Sequence, residues 1–369
     1  MNVKRLLLIS VVVVSFNSKA QTWASLGGGV SLYEKSKAAD DENGSIQALA
    51  VYNGELYAGG LFKFAGGKSA NNIAKWDGQT WSPLGEGIDG MVSSLCVYKD
   101  ELYVGGTFAM AGNRMIKNIA KWNGSEWTPL QGGVDIDARA LLVYKGELYV
   151  GGSFLHAGDK AANHIAKWNG TNWSEVSTGV KNDIYSLTEF NGQLIAGGAL
   201  IPGDKDFTNN VSRWNGIKWA DVASMDGSVS SLIVYNGKLC AGGYFTMAGD
   251  NEAPGVAVNN GSVWLPLGKG IGYTSPQDFV TALFTYNGIL YAGGDFKAGA
   301  VKGANGIARW DGRSWSSMAF GVDGYVSAFT MYEGSLYVAG SFVKAGSTIA
   351  NGIAKWPLLA IAQKETAKK

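Results

Sequence analysis

Residues 92–130 read VSSLCVYKDELYVGGTFAMAGNRMIKNIAKWNGSEWTPL, and versions of this segment fill most of the 369-residue chain. A glycine pair, altered to Ala-Gly in the last copy, marks each copy and recurs at steps of 46, 46, 46, 45, 51 and 46 residues. All 13 Trp lie at positions that follow the same repeat. A fixed period of this size indicates stacked supersecondary units, each too small to bury its own apolar face. The marker pairs are Gly59–Gly60, Gly105–Gly106, Gly151–Gly152, Gly197–Gly198, Gly242–Gly243, Gly293–Gly294 and Ala339–Gly340.

Each repeat predicts four short strands joined by two tight turns and one longer loop. In the quoted segment the strands are 92–98, 101–108, 118–122 and 125–130. The tight breaks are mostly Asn-Gly or Asp-Gly, which is the strongest short hairpin signal because a type I′ turn needs positive φ at both central residues. Four antiparallel strands connected in this order form the blade of a β-propeller.

The chain is therefore predicted to be an all-β, seven-bladed β-propeller of four-stranded antiparallel blades. The seventh repeat reaches Trp356 and then Pro357, so its fourth strand is missing. Residues 22–30 match 80–88 almost residue for residue, and this N-terminal strand is expected to complete the last blade and close the ring. Closure removes the exposed edges of a linear array. The propeller is expected to span 21–357, with blades near 45–88, 91–134, 137–180, 183–226, 228–271, 279–322 and 325–356 plus 22–30.

Residues that recur in every copy are interpreted as contacts between repeats. Phe108 follows the glycine pair and the first strand keeps a small residue such as Ser94, as interlocked sheets require. The recurring basic residue, Lys121 in this copy, is expected to pair with Glu101 or lie over Trp, the alternative being an anion-binding ring. A recurring Asn at the end of the long loop, such as Asn163, is expected to cap irregular backbone, the alternative being repeated glycan contacts.

The first 20 residues are predicted to be a cleavable export signal. Lys4 and Arg5 precede an apolar run at 6–14, and 18–20 form a small-x-small cleavage site. The apolar run is too short to span a bilayer, which takes about 20 residues. The protein is therefore expected to be secreted, periplasmic or held at the cell surface, with a C-terminal tail at 358–369.

Composition disfavours several classes of partner. The formal net charge of +1 becomes −2 without Lys4, Arg5 and Lys19, so neither nucleic acid nor a membrane surface is an expected partner. Cys96 and Cys240 lie in separate repeats, so no bridge is expected and both are interpreted as small buried apolar residues. No cofactor and no metal are predicted, and a monomer is expected.

The repeat consensus also resembles a known family. The hairpin Tyr-Asn-Gly-x-Leu-Tyr-x-Gly-Gly-x-Phe and the following Asn-x-Ile-Ala-Lys-Trp-Asn-Gly-x-x-Trp-x-x-Leu-Gly resemble the Kelch-like propeller repeats of the fungal cell-polarity cortical-marker family. They are similar, too, to repeats of secreted bacterial propeller proteins of unassigned role, and the resemblance covers residues 22–356. Galactose-oxidase propellers share the glycine pair, but their copper site needs His and Tyr ligands with a Cys–Tyr crosslink. This chain has only His156 and His164, so that chemistry does not carry over.

The strand order predicts two different faces. The tight turns of every repeat lie on one face, and the long loops lie on the other with the connections between repeats. The unusually long connections, 31–44 and 272–278, both belong to the second face. Variable loops on a rigid scaffold are where binding residues concentrate. The candidate ligand-binding residues are Tyr33, His156, Asp204, Asp206, Tyr273 and Asp278.

Two pairs of residues are of types that bind metals, but neither pair has the full pattern of a metal site. His156 and His164 share one loop, but no Cys or repeated carboxylate accompanies them as in zinc sites. Asp204 and Asp206 resemble part of an oxygen-rich calcium loop, although the pattern is too short to identify one.

The favoured function is an exported, non-catalytic binding or scaffold propeller that recognises a protein or a surface glycan through its loop-rich face. One alternative is a polysaccharide lyase or hydrolase, which needs carboxylates that converge near the central depression. Another is a purely structural surface or matrix component. The acids near the connections are Asp89, Asp135, Asp137, Asp183, Asp226, Asp278 and Asp323, and no unique pair stands out among them.

Overall fold

The computed structural model describes residues 21–34, 43–199, 210–223, 225–271, 278–297 and 301–358. These residues form β-strands, turns and connections, and none of them lies in a helix. Within the same ranges, no helix is present that could cross a membrane. The predicted export signal and the tail after residue 358 lie outside the described residues.

The strands are numbered along the chain. The N-terminal segment and the first three repeats contain β1 (Ala24–Ser25), β2 (Val30–Ser31), β3 (Ser45–Tyr52), β4 (Glu55–Leu61), β5 (Phe64–Ala65), β6 (Lys68–Ser69), β7 (Ile73–Trp76), β8 (Trp81–Pro83), β9 (Met91–Tyr98), β10 (Glu101–Thr107), β11 (Met110–Ala111), β12 (Arg114–Met115), β13 (Ile119–Trp122), β14 (Trp127–Pro129), β15 (Ala140–Tyr144), β16 (Glu147–Gly151), β17 (His156–Ala157), β18 (Lys160–Ala161), β19 (Ile165–Trp168) and β20 (Trp173–Glu175). The later repeats contain β21 (Ile184–Phe190), β22 (Gln193–Gly198), β23 (Val211–Trp214), β24 (Trp219–Ala223), β25 (Ser228–Tyr235), β26 (Lys238–Tyr244), β27 (Met247–Ala248), β28 (Asn251–Glu252), β29 (Val256–Asn259), β30 (Trp264–Pro266), β31 (Phe279–Tyr286), β32 (Ile289–Asp295), β33 (Ile307–Trp310), β34 (Trp315–Ser317), β35 (Tyr325–Tyr332), β36 (Ser335–Ser341), β37 (Lys344–Ala345), β38 (Thr348–Ile349) and β39 (Ile353–Pro357).

The predicted four-stranded antiparallel unit is confirmed. In the second repeat β9 pairs with β10, β10 with β13 and β13 with β14, all antiparallel. Tight turns join the first to the second strand and the third to the fourth, as the Asn-Gly and Asp-Gly signals indicate. The four-stranded sheets formed by the described residues are β3-β4-β7-β8, β9-β10-β13-β14, β15-β16-β19-β20, β21-β22-β23-β24, β25-β26-β29-β30, β31-β32-β33-β34 and β35-β36-β39-β1.

The N-terminal strand β1 lies at the edge of the last of these sheets, beside β39. Ala24 is opposite Lys355 in the register. Trp23 is buried, its ring centroid lies 4.8 Å from that of Trp356, and its Nε1 donates a hydrogen bond to the Met318 carbonyl (3.3 Å). Residues from the start of the chain therefore form the fourth strand that the seventh repeat lacks.

A bulge explains one of the two marker glycines. In the first sheet Gln47 bulges out of β3, and a Cβ on Gly60 would clash with the Ser45 carbonyl oxygen. The other glycine faces the next sheet, where a Cβ on Gly59 would meet the Val92 side chain. The sequence suggests close packing of neighbouring repeats as the reason for such strand glycines. This reason holds for the first glycine of the pair and does not hold for the second.

Successive sheets share their hydrophobic cores. Tyr52 and Tyr57 of the first sheet pack with Val92, Leu102 and Phe108 of the second. The Phe after the glycine pair is buried in every repeat where the described residues contain one, as interlocked sheets require. Burial of these faces is what a single repeat cannot achieve alone.

The first and last sheets are also in contact. Ile46 and Phe62 share a core with Tyr337 and Ile353, and Leu26 of the N-terminal segment joins them. Strand β3 contacts both β35 and β36. First strands of neighbouring sheets are in contact through the series β3, β9, β15, β21, β25, β31 and β35.

The long loops differ from the sequence-based expectation of irregular structure. Five of them form small hairpins, β5–β6, β11–β12, β17–β18, β27–β28 and β37–β38. Ala111 is fully buried in its hairpin, and Gly112 has a φ of 57°, which favours glycine. The recurring Ala-Gly dipeptide is the sequence feature that could have indicated these hairpins.

Two faces can be distinguished by their contacts. Tyr52 Oη donates to the carbonyl of Asp100 (2.9 Å) in the first tight turn of the next repeat, so the tight turns of neighbouring repeats meet on one side, here called the turn face. Four of the connections between repeats bridge to the small hairpin that follows them, as Ile88 does with Ala111. This second side, formed by the connections and small hairpins, is the loop face.

Candidate functional site

Recurring polar side chains hold the scaffold together. Lys121 Nζ lies 2.9 Å from Glu101 Oε2, and the first and third repeats form the same cross-strand pair. Asn163 Nδ2 donates to the carbonyl of Thr178 (2.8 Å), so the recurring Asn caps the backbone of the following connection. Both contacts agree with the interpretation that these recurring residues stabilise the scaffold.

Several acids near the connections anchor backbone. Asp89 Oδ1 accepts hydrogen bonds from two successive N–H groups at the start of the next small hairpin (3.0 and 2.8 Å). Asp135, Asp226 and Asp323 accept the same pair of bonds in their repeats. These four carboxylates fix the small hairpins on the loop face, which is a structural use of charge-assisted bonds.

Three of the candidate residues predicted from the sequence, Tyr33, His156 and Asp278, are described, and they lie in different parts of the fold. Tyr33 is exposed next to β2, His156 opens β17 of the third repeat, and Asp278 is buried before β31 of the sixth repeat. These positions belong to three different sheets. Asp204, Asp206 and Tyr273 lie outside the described residues, as do most residues of the two long connections.

His156 belongs to the anchoring system of its repeat. Its Nδ1 lies 2.9 Å from Asp135 Oδ2, and the imidazole is more than half exposed. Burial opposes ionisation of Asp135, but hydrogen bonds from the His156 side chain and from two backbone N–H groups outweigh it. The pKa of this carboxyl is therefore lowered from its ordinary value.

Replacing Asp135 with Asn is expected to lower the free energy of unfolding by about 0.5–1 kcal/mol near neutral pH. Because the folded-state pKa is lowered, the stabilisation is present above the unfolded-state pKa of about 3.9 and is lost as pH falls through the folded-state value. Urea unfolding from neutral pH to about pH 2.5 should show the two proteins converging. Equal stability at neutral pH would contradict the assignment.

The two cysteines are free thiols, and only one matches the expected burial. Cys240 is buried and Cys96 is half-buried. Burial raises the pKa of the Cys240 thiol to about 12 and that of Cys96 to about 11. Thiols that stay protonated at neutral pH are poor nucleophiles, so neither is a candidate for chemistry.

A group of polar side chains, several of which break the repeat pattern, meets where the third and fourth sheets join. The equivalents of Arg139 in other repeats include Ser93 and Ser230, and His164 stands where other repeats have Asn72 or Asn118. Residues outside the shared pattern are not needed to stack the repeats. This junction cluster consists of Asp137, Arg139, Ser153, His164, Asp183 and Tyr185.

Ser153 lies between two carboxylates that Arg139 also contacts. Arg139 Nε donates to Asp137 Oδ2 (2.7 Å), and its Nη1 lies 3.6 Å from Asp183 Oδ2. Ser153 Oγ donates to Asp183 Oδ2 (2.7 Å), while its backbone N–H donates to Asp137 Oδ1 (2.7 Å). The cluster thus joins the connections that precede the third and fourth sheets with the end of β16.

The charged side chains of the junction cluster differ in how much of each is exposed to solvent. The Asp137 side chain is 7% exposed, whereas those of Arg139 and Asp183 are 36% and 32% exposed. Asp137 therefore needs its guanidinium partner, because an unpaired buried carboxylate is strongly unfavourable. Arg139 also lies over the Tyr185 ring, 5.0 Å from its centroid. The accessible part of the cluster offers one carboxylate edge and one planar cation to a ligand.

The arrangement differs from a nucleophilic triad. Ser153 donates to Asp183, and His164 Nδ1 lies 3.4 Å from the other oxygen of the same carboxylate. In the described part of the chain, no hydrogen bond links Ser153 to His164, and His164 Nδ1 has no hydrogen-bond partner. A Ser-His-Asp site needs the imidazole next to the hydroxyl. This geometry suits ligand contact better than proton abstraction from Ser153.

A cavity of about 210 Å³ adjoins the cluster at Asp183. It lies between the connection 179–184 and strands β22, β23 and β24. Besides Asp183, the polar and aromatic residues of its wall include Asn210, Ser212, Trp219 and Asp221. At the junction of the first and second sheets, the core at this level contains residues of the second repeat's long loop. Their counterparts in the fourth repeat lie within 200–209, outside the described residues.

Sequence reasoning found only part of this cluster. Asp137 and Asp183 were included among the connection acids, and His164 was considered only as a metal ligand. Arg139, Ser153 and Tyr185 were missed. A comparison of the seven repeats, position by position, would have identified Arg139 and Tyr185, because three other repeats have Ser at their position. It would not have identified Ser153, because the seventh repeat also has a Ser there, Ser341.

Comparison with known proteins supports the fold. The profile of the Rax2 C-terminal β-propeller domain matches residues 30–192, which include the first three sheets. No curated protein matches this chain.

Solved structures resemble most of the chain at low identity. The computationally designed Ika8 protein is 17% identical with a TM-score of 0.51, over 89% of this chain and 100% of that one. The extracellular domain of a putative hybrid two-component system from B. thetaiotaomicron is 14% identical with a TM-score of 0.55, over 91% of this chain and 40% of that one. The WD40 propeller domain of Doa1 is 13% identical with a TM-score of 0.55, over 88% and 95%. The chain is a β-propeller.

Proposed function

We propose that this protein is an exported, non-catalytic binding or scaffold propeller that recognises a protein or a surface glycan through its loop face. The observation that supports this proposal best is the junction cluster, in which polar side chains of the third and fourth repeats converge and Arg139 and Asp183 remain partly exposed. Propellers present variable residues on a rigid frame, and such residues commonly bind partners. No cofactor is needed for this role, and the protein is proposed to act as a monomer.

We also infer that the seven sheets close into a ring of seven Kelch-like blades. Contacts of β3 with β35 and β36, and the pairing of β1 with β39, support closure. The repeat consensus supports the Kelch-like assignment. A closed ring leaves no free face between the first and last repeats.

An extracellular location is part of the proposal. The residues at 1–20 have the pattern of a cleavable export signal, and one similar propeller is an extracellular domain. The near-neutral charge gives no support for nucleic acid as a partner. A partner at the cell surface, either protein or glycan, fits both observations.

Replacing Arg139 with Gln is expected to weaken binding to that partner about tenfold or more, because a charged hydrogen-bond donor is lost. The partner is to be found with a glycan array and with a pull-down from the host envelope. The control is Asp100→Asn on the turn face, where Asn tolerates the positive φ of 57°. Unchanged binding by Arg139→Gln, with the fold retained, would refute the loop-face site.

One observation favours the enzyme alternative. Asp137 and Asp183 both contact Ser153 and Arg139, so two carboxylates do converge in the fold. Glycoside hydrolases use such pairs, but one member must be protonated. Here Arg139 contacts both carboxylates. Turnover of a polysaccharide that disappears in Asp183→Asn would replace the binding proposal with this one.

A further inference from the structure

We propose that the turn face of the fourth to seventh repeats binds an extended acidic polysaccharide through a basic arc, which consists of Arg213, Lys238, Arg309 and Lys355. Each of four consecutive sheets contributes one of these cations. An acidic group that repeats along a polymer can pair with one cation on each sheet. The arc lies on the turn face, so the inference goes beyond the proposed loop-face function and does not rest on it.

The recurring basic residue has a carboxylate partner in the first three repeats only. There the pairs are Lys75–Glu55, Lys121–Glu101 and Lys167–Glu147, with Nζ–Oε2 distances of 2.8, 2.9 and 2.8 Å. In the fourth, sixth and seventh repeats the residues that replace these acids are Gln193, Ile289 and Ser335. Arg213, Arg309 and Lys355 keep the positive charge in those repeats, so the charge is conserved along the repeats where its internal partner is not.

The fifth repeat moves the cation to the neighbouring strand. Lys238 stands where the first three repeats have Glu, and Val258 stands where they have Lys. Lys238 is exposed and directly follows the tight turn Asn236–Gly237. This sheet therefore also carries one cation beside its first tight turn, although neither position has the residue type of the first three repeats.

The four cations of the arc have no counterion within the described part of the chain. No ion pair joins any of them to an acid there. Arg309 Nε donates to Ser316 Oγ (3.2 Å), a neutral acceptor that leaves the positive charge unbalanced. Arg213 and Arg309 are exposed like Lys238, and Lys355 is half-buried. Such charges attract an external anion.

The accessibility of the recurring basic position is a property of the repeat itself. Residues 43–199 are described without a gap, and the three paired lysines in this range still expose 22–34% of their side chains. Arg213, Arg309 and Lys355 occupy the same place in the strand register, opposite residues of the second strand of their sheets. Their accessibility therefore follows from the register that all these repeats share.

The charge balance around the tight turns differs between the two parts of the chain. We compare the two central residues of each tight turn and the two residues on either side, with the equivalent positions of the seventh repeat. The first three repeats have five cations and six acids there. In the last four repeats the cations are Arg213, Lys218, Lys238, Arg309, Arg313 and Lys355, and the acids are Glu189, Asp311 and Glu333. The turn face is therefore basic only along the later repeats.

The spacing of the cations and the groups between them favour an acidic polysaccharide. Neighbouring sheets pack about 10 Å apart, so one small anion cannot contact the whole arc, whereas an extended polymer can. The first tight turns of the fourth, fifth and sixth repeats present exposed Asn191, Asn236 and Asn287. Side-chain amides both donate and accept hydrogen bonds, as sugar hydroxyl groups require.

Biolayer interferometry tests the arc, with the full chain and immobilised polygalacturonate, dextran sulfate, neutral dextran and poly-glutamate as probes. At least one of the two acidic polysaccharides should bind, less tightly as NaCl is raised, and dextran should not bind. The triple variant Arg213→Gln, Lys238→Gln, Arg309→Gln should weaken binding about tenfold or more, because three charge pairs are lost. Lys238→Gln alone should weaken it about two- to fivefold.

The matched control is the triple variant Lys75→Gln, Lys121→Gln, Lys167→Gln. It removes the same number of charges from the same recurring position, but from lysines that Glu residues already neutralise. Its affinity should stay within about twofold of the wild type. Circular dichroism and thermal unfolding show whether both triple variants retain the fold.

Three outcomes would overturn the proposal. If neither acidic polysaccharide binds, the arc is not a polysaccharide site. If the two triple variants weaken binding equally, net charge rather than the arc determines binding. If poly-glutamate binds at least as tightly as the polysaccharides, the ligand is an acidic protein segment and the saccharide class is refuted. Arg139→Gln, on the loop face, should bind the polysaccharide like the wild type, so the two proposals are tested separately.

Discussion

Replacing Trp23 with Ala is expected to lower the free energy of unfolding by about 3–5 kcal/mol, the usual cost of truncating a buried Trp. Trp23 is 5% exposed and packs against Trp356. The variant also removes the hydrogen bond to the Met318 carbonyl and leaves a void beside β39. Chemical denaturation, followed by the fluorescence of the remaining Trp, measures the effect.

Tyr33 supplies the control in the same segment of the chain. It is 46% exposed, so Tyr33→Ala should change the stability by no more than about 0.5 kcal/mol. If Trp23→Ala proved as stable as Tyr33→Ala, the N-terminal strand would not belong to the last sheet in solution. The inference of a closed ring would then lose its main support.

Replacing Gly60 with Ala is expected to destabilise the protein by about 3 kcal/mol or more, at the upper end for an overpacked position. The added Cβ clashes with the Ser45 carbonyl oxygen, which the bulge at Gln47 brings close. Backbone cannot move aside as a side chain can. Thermal and urea unfolding of the purified variant would show the loss.

The adjacent glycine is the matched control. A Cβ on Gly59 meets the Val92 side chain, which can shift, and Ala339 already stands at this position in the seventh repeat. Gly59→Ala should therefore cost clearly less than Gly60→Ala. Equal losses would show that the bulge does not explain the second glycine.

The repeating part of the fold could be predicted because each signal occurred several times. Asn-Gly turns, the Phe after the glycine pair, and the Lys121–Glu101 pair all appear in the structure as expected. The bulge at Gln47 was not predictable, since it depends on how β3 meets β4 rather than on residue type. The small hairpins were missed because two-residue strands are shorter than any periodic pattern can reveal.

The site could be predicted only in part for a different physical reason. Longer connections indicated the loop face, but insertion length says nothing about which side chains converge. Arg139 and Asp183 are 44 positions apart and meet because two repeats stack. Because every repeat has the same strand register, contacts between neighbouring repeats can be worked out once the sheets are known. The useful sequence signal is a residue that differs from those at the equivalent position of the other repeats.

The edge position of β1 brings the two ends of the described chain side by side. Gln21 Nε2 donates to the Pro357 carbonyl (2.8 Å), so these residues touch at the outer edge of one sheet. A short linker could therefore join them and new termini could be opened at an exposed tight turn, since circular permutation succeeds where the ends are close. In such a permutant every blade would be built from consecutive residues except the one that is cut.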